Sequence, residues 1–396
     1  MYISRLALDH FRSWNQVVVD FQPGVNVLYG PNGLGKTNLV EAVEVLSTGG
    51  SHRVSSSLPL VERGEGKATI RVNAHADGNT DGTDPARTVT TYEVTIAARG
   101  ANRARINSGP SQYLRDVVGL VPSVSFTPDD QRLVSADPAT RRGFLNQSAG
   151  MLLTGYAGLL QRFTQIARQR AALLKQLGQH EGSADAVLSG LEVWTGQFIE
   201  AGVALTRMRA EILHTLAEPF HDIYARLASG QGEARIEYEP SFAEVLGGDS
   251  PELEISEHFQ RLYPGEVARG VNLIGPQRDD FSVLLDGEPA REFASNGEMW
   301  TMALALKMAL FEAIAESRGT KPVVILDDVF AQLDESRRRQ ILAFANDQDQ
   351  VLVTAAAKGD IPQDGKANII DVASLKAQQD IFDVSAIPMP HGGEQS

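Results

Sequence analysis

The order of apolar and polar residues divides the first half of the chain into regions of different secondary structure. The strand-like runs are Tyr2–Leu8, Gln16–Phe21, Val25–Tyr29, Thr69–Ala76 and Arg87–Ala98. A glycine-rich turn follows the third run, and a helix is expected to begin near Gly35. The polar stretch Asp77–Ala86 has the composition of a surface hairpin loop. This part of the chain therefore predicts a strand–loop–helix unit followed by hairpin structure.

From about Asp137 to Ser229 the apolar residues recur with a helical period. Helices are predicted at Tyr156–Leu177 and Asp185–Leu227, with a break at Gly178–Ser183. After Pro240 the pattern is mixed again, and we predict a strand at Phe281–Leu285, an apolar helix at Met299–Ser317, and strands at Val323–Leu326 and Gln350–Thr354.

These patterns predict an α/β fold with two lobes, as the length of 396 residues also suggests. We expect a discontinuous lobe of residues 1–120 and 265–375, with a mixed sheet and flanking helices. A smaller helical arm would contain residues 121–264. Residues 376–396 would form a tail whose end, from Ser385 onward, is expected to be disordered.

Composition narrows the class of protein. The chain is 42% hydrophobic and 22% charged and has no long apolar run, which predicts a protein without membrane-spanning segments. No secretory signal is visible, so a cytoplasmic location is expected. The chain contains no cysteine, and this excludes disulfides and zinc–thiolate sites. The net charge of −14 is unevenly distributed, since Arg99–Lys175 holds eleven basic and four acidic residues.

A phosphate-binding loop is predicted between the third strand and the first helix. The residues are Gly30, Pro31, Asn32, Gly33, Leu34, Gly35, Lys36, Thr37 and the following Asn38. Glycines let backbone N–H groups turn toward phosphate oxygens, and the helix N-terminus adds partial positive charge. Lys36 would contact the β- and γ-phosphates of ATP, and the Thr37 hydroxyl would bind Mg²⁺. The alternative is an accidental glycine-rich turn.

Two carboxylates follow the apolar strand Val323–Leu326. Such acids emerge at the sheet edge where α/β proteins bind ligands. Asp327 would hold Mg²⁺, and Asp328 would polarise the attacking water, so Asp328 and Lys36 are the candidate catalytic residues. Many ATPases that combine a phosphate loop with paired acids have glutamate as the second acid. Aspartate, which stands there as Asp328, is shorter and predicts slow turnover. The structural alternative is that both acids cap the following turn.

A third motif, Ser295, Asn296, Gly297 and Glu298, opens the apolar helix. Serine followed three residues later by glutamate is a capping box, which is a sufficient structural explanation on its own. Its position about 30 residues before the paired acids is similar to that of the signature in ABC-type ATPases, which addresses the γ-phosphate held by the opposite subunit. Asp334, shortly after the acids, resembles the D-loop residue of the same family. Gln131 is the candidate for the Q-loop.

With these motifs in this order, the chain resembles the RecF family, the head-only relatives of SMC-type ATPases, over roughly residues 1–375. The stretches that carry the resemblance are Leu8–Ser13, the phosphate loop, Phe126–Asp130 with Pro138–Leu145, Gly275–Asp280, and Ser295–Leu326 with its acids. The chain departs from the family pattern at Gln277, at Glu298 and at the pair Met299 and Trp300. SMC proteins insert hundreds of heptad residues between phosphate loop and signature, whereas the gap of about 260 residues here is expected to hold only a short helical arm.

The resemblance implies an ABC-type ATPase head that forms an ATP-dependent homodimer, with Mg²⁺ as cofactor and slow hydrolysis. It also implies binding of double-stranded and single-stranded or gapped DNA, and action with RecO and RecR in loading RecA, in replication maintenance and in the SOS response. From the basic segment we take as candidate DNA contacts Arg141, Arg142, Arg162, Arg168, Arg170 and Lys175. For any one of them, a solvated helical face is an equally good explanation.

Two other functions stay open at this point. One is a generic ABC-type ATPase subunit, either SMC-like or related to transport. The other is a DNA-binding module that ATP switches with negligible hydrolysis.

Overall fold

The computed structural model describes residues 1–54, 56–75, 89–179, 184–247, 251–331, 335–356 and 367–385. The predicted loop at 77–86 and the tail beyond Ser385 lie outside these ranges. The chain divides into two compact units, of which unit 1 comprises residues 1–117, 121–128 and 320–396, and unit 2 comprises residues 118–120 and 129–319. Among the described residues, no helix combines the length and apolar character that a bilayer crossing requires.

The elements agree closely with the sequence pattern. The strands are β1 (Tyr2–Phe11), β2 (Trp14–Asp20), β3 (Gly24–Tyr29), β4 (Lys67–His75), β5 (Val89–Ala97), β6 (Arg103–Ile106), β7 (Gln112–Tyr113), β8 (Ser123–Phe126), β9 (Ala234–Glu239), β10 (Asp280–Leu285), β11 (Glu288–Pro289), β12 (Val323–Leu326), β13 (Gln350–Ala355) and β14 (Asn368–Asp371). The helices are α1 (Lys36–Thr48), α2 (Arg132–Ser135), α3 (Pro138–Leu152), α4 (Tyr156–Gln179), α5 (Ala184–Leu227), α6 (Pro251–Arg269), α7 (Ala290–Phe293), α8 (Asn296–Arg318), α9 (Glu335–Asn346) and α10 (Val372–Ser385).

Unit 1 is built on two sheets. A six-stranded antiparallel sheet has the order β2-β1-β4-β5-β6-β7, and a five-stranded parallel sheet has the order β14-β3-β13-β12-β8. Every residue of β12 and β13 is buried, as expected for parallel strands covered on both faces. Because the strands are parallel, the carboxyl ends of β3, β12 and β13 lie at the same edge of this sheet.

Unit 2 is mostly helical and is crossed by buried ion pairs. The long helix α5 packs against α4 and α8, and the short sheet β11-β10-β9 completes the unit. Arg209 donates to Asp279 at 2.7 Å, and Arg170 donates to Glu266 at 2.6 Å. All four side chains are almost fully buried, so each charge is matched inside the core.

This division differs from the predicted lobes at two places. Residues 121–128 belong to unit 1, because the apolar strand β8 pairs in parallel with β12 and so extends the sheet. Residues 265–319 belong to unit 2, because α8 packs against α5. The helical pattern at 137–229 indicated neither the pairing of β8 with β12 nor the packing of α8 against α5, and these two contacts fixed the boundaries.

Candidate nucleotide site and basic surface

The phosphate loop joins β3 to α1, as predicted. Gly30, Gly33 and Gly35 all have positive φ angles, and Gly35, at φ +92°, is the N-cap of α1. A Cβ atom on Gly35 would lie 2.8 Å from the indole nitrogen of Trp14, which donates to the Gly35 carbonyl at 3.1 Å. No side chain caps α1, and its first turn contains no acidic residue. The positive end of this helix is therefore left for a ligand.

The ammonium group of Lys36 lies inside the loop. Its Nζ atom donates to the carbonyl of Gly30 at 2.8 Å, to the carbonyl of Pro31 at 3.1 Å and to Oδ1 of Asn32 at 3.2 Å. The residue is only 4% exposed, and these three partners are all neutral oxygens. A buried cation that meets no carboxylate among the described residues fits a site that receives an anion.

Two oxygen groups suited to Mg²⁺ meet at the sheet edge. The Thr37 hydroxyl donates to Oδ1 of Asp327 at 3.0 Å, which joins the start of α1 to the end of β12. Asp327 is 7% exposed, and burial raises the pKa of its carboxyl group, while hydrogen bonds from Thr354 and Thr37 oppose the rise. A hydroxyl and a carboxylate in contact are the hard-oxygen ligands that Mg²⁺ prefers, so these residues fit the ion.

Thr354 is a member of the site that the sequence did not single out. Its hydroxyl donates to Oδ1 of Asp327 at 2.8 Å and accepts a hydrogen bond from the backbone N–H of Asp328 at 2.9 Å. Asp328 has φ of +50°, a left-handed conformation that is uncommon for a residue with a side chain. Thr354 thus fixes both neighbouring acids, and the only signal for it was a polar residue near the end of the apolar strand β13.

An open pocket in unit 1 lies beside the phosphate loop, and Asn38 is part of its lining. This pocket has a volume of about 620 Å³ and is lined in part by Arg12, Ser13, Asn38 and Arg53. The Asn38 amide donates to the Ser13 hydroxyl at 2.9 Å and accepts from Arg53 at 3.0 Å. The pocket therefore continues from the first turn of α1 and offers polar groups to a molecule held by the loop.

The Ser295 motif forms the capping box at the start of α8. The Ser295 hydroxyl accepts from the backbone N–H of Glu298 at 3.3 Å and donates to the Glu298 carboxylate, which also accepts from the Ser295 backbone N–H, both at 2.7 Å. These bonds from Ser295 lower the pKa of Glu298. Asn296 accepts from Gln131 at 3.1 Å, so the candidate Q-loop residue contacts the first turn of this helix. Gly297 opens the same turn, whereas Asp334 lies outside the described residues.

Two of the six candidate DNA contacts are wrong on structural grounds. Arg141 is 6% exposed and makes two 2.7 Å bonds to the carboxylate of Asp280. Arg170 is 2% exposed, pairs with Glu266 and lies over the ring of Phe259. Both guanidinium groups have partners inside unit 2 and cannot reach a phosphate. Residue counting identified their charge but could not show their burial.

The other four candidates remain accessible. Arg162, Arg168 and Lys175 are exposed on α4, and Arg142 is half-buried on α3. Arg162 has a distant carboxylate neighbour, Glu200, at 3.7 Å. A role of these residues in DNA binding stays a prediction.

The family model for the RecF/RecN/SMC N terminal domain matches residues 2–377. The DNA replication and repair protein RecF of Bifidobacterium longum subsp. infantis is 66% identical over 378 residues, which are 95% of this chain and 90% of that protein. RecF of Bifidobacterium adolescentis is 63% identical and is covered to 98% by the whole of this chain.

A solved structure described as the recombination mediator protein RecF-ATPrS in the RecFOR pathway is similar in fold, with a TM-score of 0.82 and 26% identity. The match covers 94% of this chain and 96% of that one. The RecF-ATP form gives a TM-score of 0.81 at 25% identity, with the same coverage. Sequence and fold thus lead to one conclusion: the chain belongs to the RecF family of DNA replication and repair proteins, which have an ABC-type ATPase head.

Proposed function

We propose that this chain is an ATP-dependent DNA-binding protein of recombinational repair, in which ATP drives the association of two copies. The observation that carries the proposal is the buried ammonium of Lys36, which donates to three neutral oxygens and lies beside the Thr37–Asp327 contact. The RecF structures described with ATP and ATPrS support the choice of nucleotide. Gly30–Asn38 would hold the triphosphate, and the pocket at Arg12 and Arg53 would take the nucleoside.

Hydrolysis of ATP would be slow. It would depend on side chains that hydrogen bonds within unit 1 already hold in place. Thr37 and Asp327 would hold Mg²⁺, which neutralises charge on the phosphate oxygens when it is bound. Asp328 would orient and polarise the attacking water, and Lys36 would stabilise the negative charge on the phosphates. Thr354 is a positioning residue, because it acts on the reaction only through Asp327 and Asp328.

The homodimer would close when the start of α8 from one copy addresses the γ-phosphate bound by the other. Ser295, Asn296 and Gly297 lie at the positive end of a 23-residue helix, where an anion is favoured. Asp334 would belong to the same interface by resemblance. ATP then links the two copies, and its hydrolysis separates them.

The closed dimer would grip double-stranded or gapped DNA through its backbone, without reading bases. Arg142, Arg162, Arg168 and Lys175 are the accessible candidates. We extend to this chain the action with RecO and RecR that the RecFOR description of its structural relatives suggests, together with RecA loading, replication maintenance, the SOS response and a cytoplasmic location.

Sedimentation with and without ATP, each in the presence and absence of duplex DNA, tests the proposal. We expect monomers without nucleotide, dimers with ATP, and DNA bound to the dimer. A chain that stays monomeric under all four conditions would contradict it.

Phosphate release separates an ATPase from a binding module that ATP switches without turnover. Asp328→Asn keeps the size of the side chain but removes its negative charge. We expect its steady-state release to fall by about a hundredfold, with dimerisation by ATP retained. Release that is negligible in the parent and unchanged in the variant would favour the switch without hydrolysis.

A further inference from the structure

Unit 2 contains an open groove of about 600 Å³ whose lining includes Arg142, Ala171, Asn272 and Arg278. It lies between the start of α3, the side of α4 and the segment that leads into β10. Arg278 was not among the candidate DNA contacts, because those were taken from the basic segment Arg99–Lys175.

The charges near the groove do not balance. Asp280 is bonded to Arg141 at 2.7 Å, and Asp279 is bonded to Arg209 at 2.7 Å. Arg142 donates at 2.8 Å to the backbone carbonyl of Asp279, whose carboxylate is already paired. Within the described residues, this cluster thus sets three guanidinium groups against two carboxylates, and the unmatched one, Arg142, lines the groove.

Among the residues that the structure describes, no carboxylate pairs with Arg278. Its Nε and Nη2 atoms donate to the backbone carbonyl of Asn272 at 3.1 and 3.0 Å, and its side chain is exposed. Asn272 is itself fixed, because its amide donates to the carbonyl of Ala167 at 2.8 Å and accepts from the buried Arg170 at 2.7 Å. A neutral carbonyl therefore orients the guanidinium of Arg278 without cancelling its charge.

The two helices beside the groove add positive charge and no negative charge. Helices α3 and α4 contain no aspartate or glutamate. Arg168 and Lys175 lie three residues before and four residues after Ala171, so they share the face of α4 that lines the groove. The one carboxylate in the lining, Asp137, is 85% exposed and lies 3.7 Å from Arg291.

We propose that this groove binds phosphate groups of the DNA backbone, with Arg142 and Arg278 as the direct contacts. Arg168 and Lys175 continue the basic path along α4. Planar guanidinium groups match the two free oxygens of a phosphodiester, and phosphate contacts give affinity without reading sequence. This proposal rests on the proposed function only in taking DNA as the ligand, and it requires neither hydrolysis nor the Ser295 contact.

Fluorescence anisotropy of labelled duplex DNA, titrated with the full-length protein at several salt concentrations and saturating ATP, tests the proposal. Arg278→Gln is expected to weaken binding about fivefold to tenfold. The salt slope should become shallower by about 0.9 for each Arg278 that contacts a duplex phosphate, and so by about 1.8 for a dimer in which both copies contact the DNA. Adding Arg142→Gln should double that change, to about 1.8 for each copy in contact with the DNA. Arg235→Gln is the matched control, because Arg235 is exposed in unit 2 but paired with Glu233 at 2.6 Å.

Thermal unfolding of each variant shows whether its fold is intact, and Arg278→Gln decides the result if the Arg142 variant fails to fold. Slopes equal to that of Arg235→Gln would overturn the proposal. Inorganic phosphate or polyglutamate that binds the parent but not Arg278→Gln, with DNA slopes unchanged, would assign the groove to small anions or to acidic protein segments instead. A parent protein that binds no DNA would refute the proposed function itself.

Discussion

In the proposed dimer, the N-terminus of α1 from one copy and the N-terminus of α8 from the other are expected to contact the same triphosphate. The two N-termini differ in how their backbone N–H groups are bonded. Helix α1 begins at Gly35 without a side-chain cap or an acidic residue in its first turn. Helix α8 begins at Ser295 with a complete capping box closed by Glu298. The first N-terminus has no carboxylate in its own first turn, whereas the second is already bonded to the carboxylate of its own residue Glu298.

Under the proposed function, this difference between the two N-termini separates the binding of ATP from the closure of the dimer. In unit 1 the loop, Lys36 and the Thr37–Asp327 contact are assembled within one unit, so under the proposed function a single copy is expected to bind nucleotide. In unit 2 the Ser295 hydroxyl and backbone N–H both bond to Glu298, so contact with a phosphate must compete with these bonds. Loading is therefore expected to be more favourable than closure, which is suitable for a switch.

The largest effect on ATP binding is expected at the uncapped N-terminus of α1. Lys36→Ala removes the only charged group inside the loop and should weaken ATP binding by about a hundredfold, which also abolishes dimerisation by ATP. Isothermal titration of ATP measures the first effect and sedimentation the second. Lys67→Ala, which removes an exposed lysine from unit 1, is the matched control and should behave as the parent. A Lys36→Ala protein that still dimerises with ATP would show that closure does not need a loaded loop.

An intermediate effect is expected at Thr354. Thr354→Val removes the hydroxyl that bonds to Asp327 and to the backbone N–H of Asp328, so both acids lose their orientation. We expect the Mg²⁺ concentration for half-maximal ATP binding to rise about tenfold. Thr354→Ser keeps the hydroxyl and should restore the parent value. Equal Mg²⁺ dependence in the valine variant and the parent would reduce Thr354 to a structural residue.

Much of unit 1 could be predicted from the sequence, because its motifs are local. The spacing of Gly30, Gly35 and Lys36 and the apolar strand before Asp327 each indicate a geometry within a few residues, and parallel strands bring their carboxyl ends together. Thr354 could not be predicted, since its role depends on which strand lies beside β12.

The exposed arginines of unit 2 were harder to predict, because their partners also lie far away in the sequence. Arg141 and Arg142 are neighbours in sequence, yet Arg141 is paired with Asp280, about 140 residues away, while Arg142 donates to the backbone carbonyl of Asp279. Local charge counts show how many cations a segment has. They do not show which of them a distant carboxylate neutralises, and at this surface that pairing decides which arginines remain available to a ligand.

The smallest effect is expected at the capped N-terminus, and it tests the comparison most directly. Glu298→Gln keeps an oxygen that can accept from Ser295 but removes the negative charge at the start of α8. ATP-dependent dimerisation should become about threefold tighter, because a phosphate no longer meets a like charge there, while thermal stability falls slightly. The lowered pKa of Glu298 means that its stabilising contribution is present at neutral pH and is lost as pH falls through that pKa, so the stability difference should vanish in acid. Glu292→Gln, which removes a nearby exposed charge outside the capping box, is the control. If both variants dimerise as the parent does, the carboxylate of Glu298 does not compete with the nucleotide, and the two N-termini differ in structure but not in function.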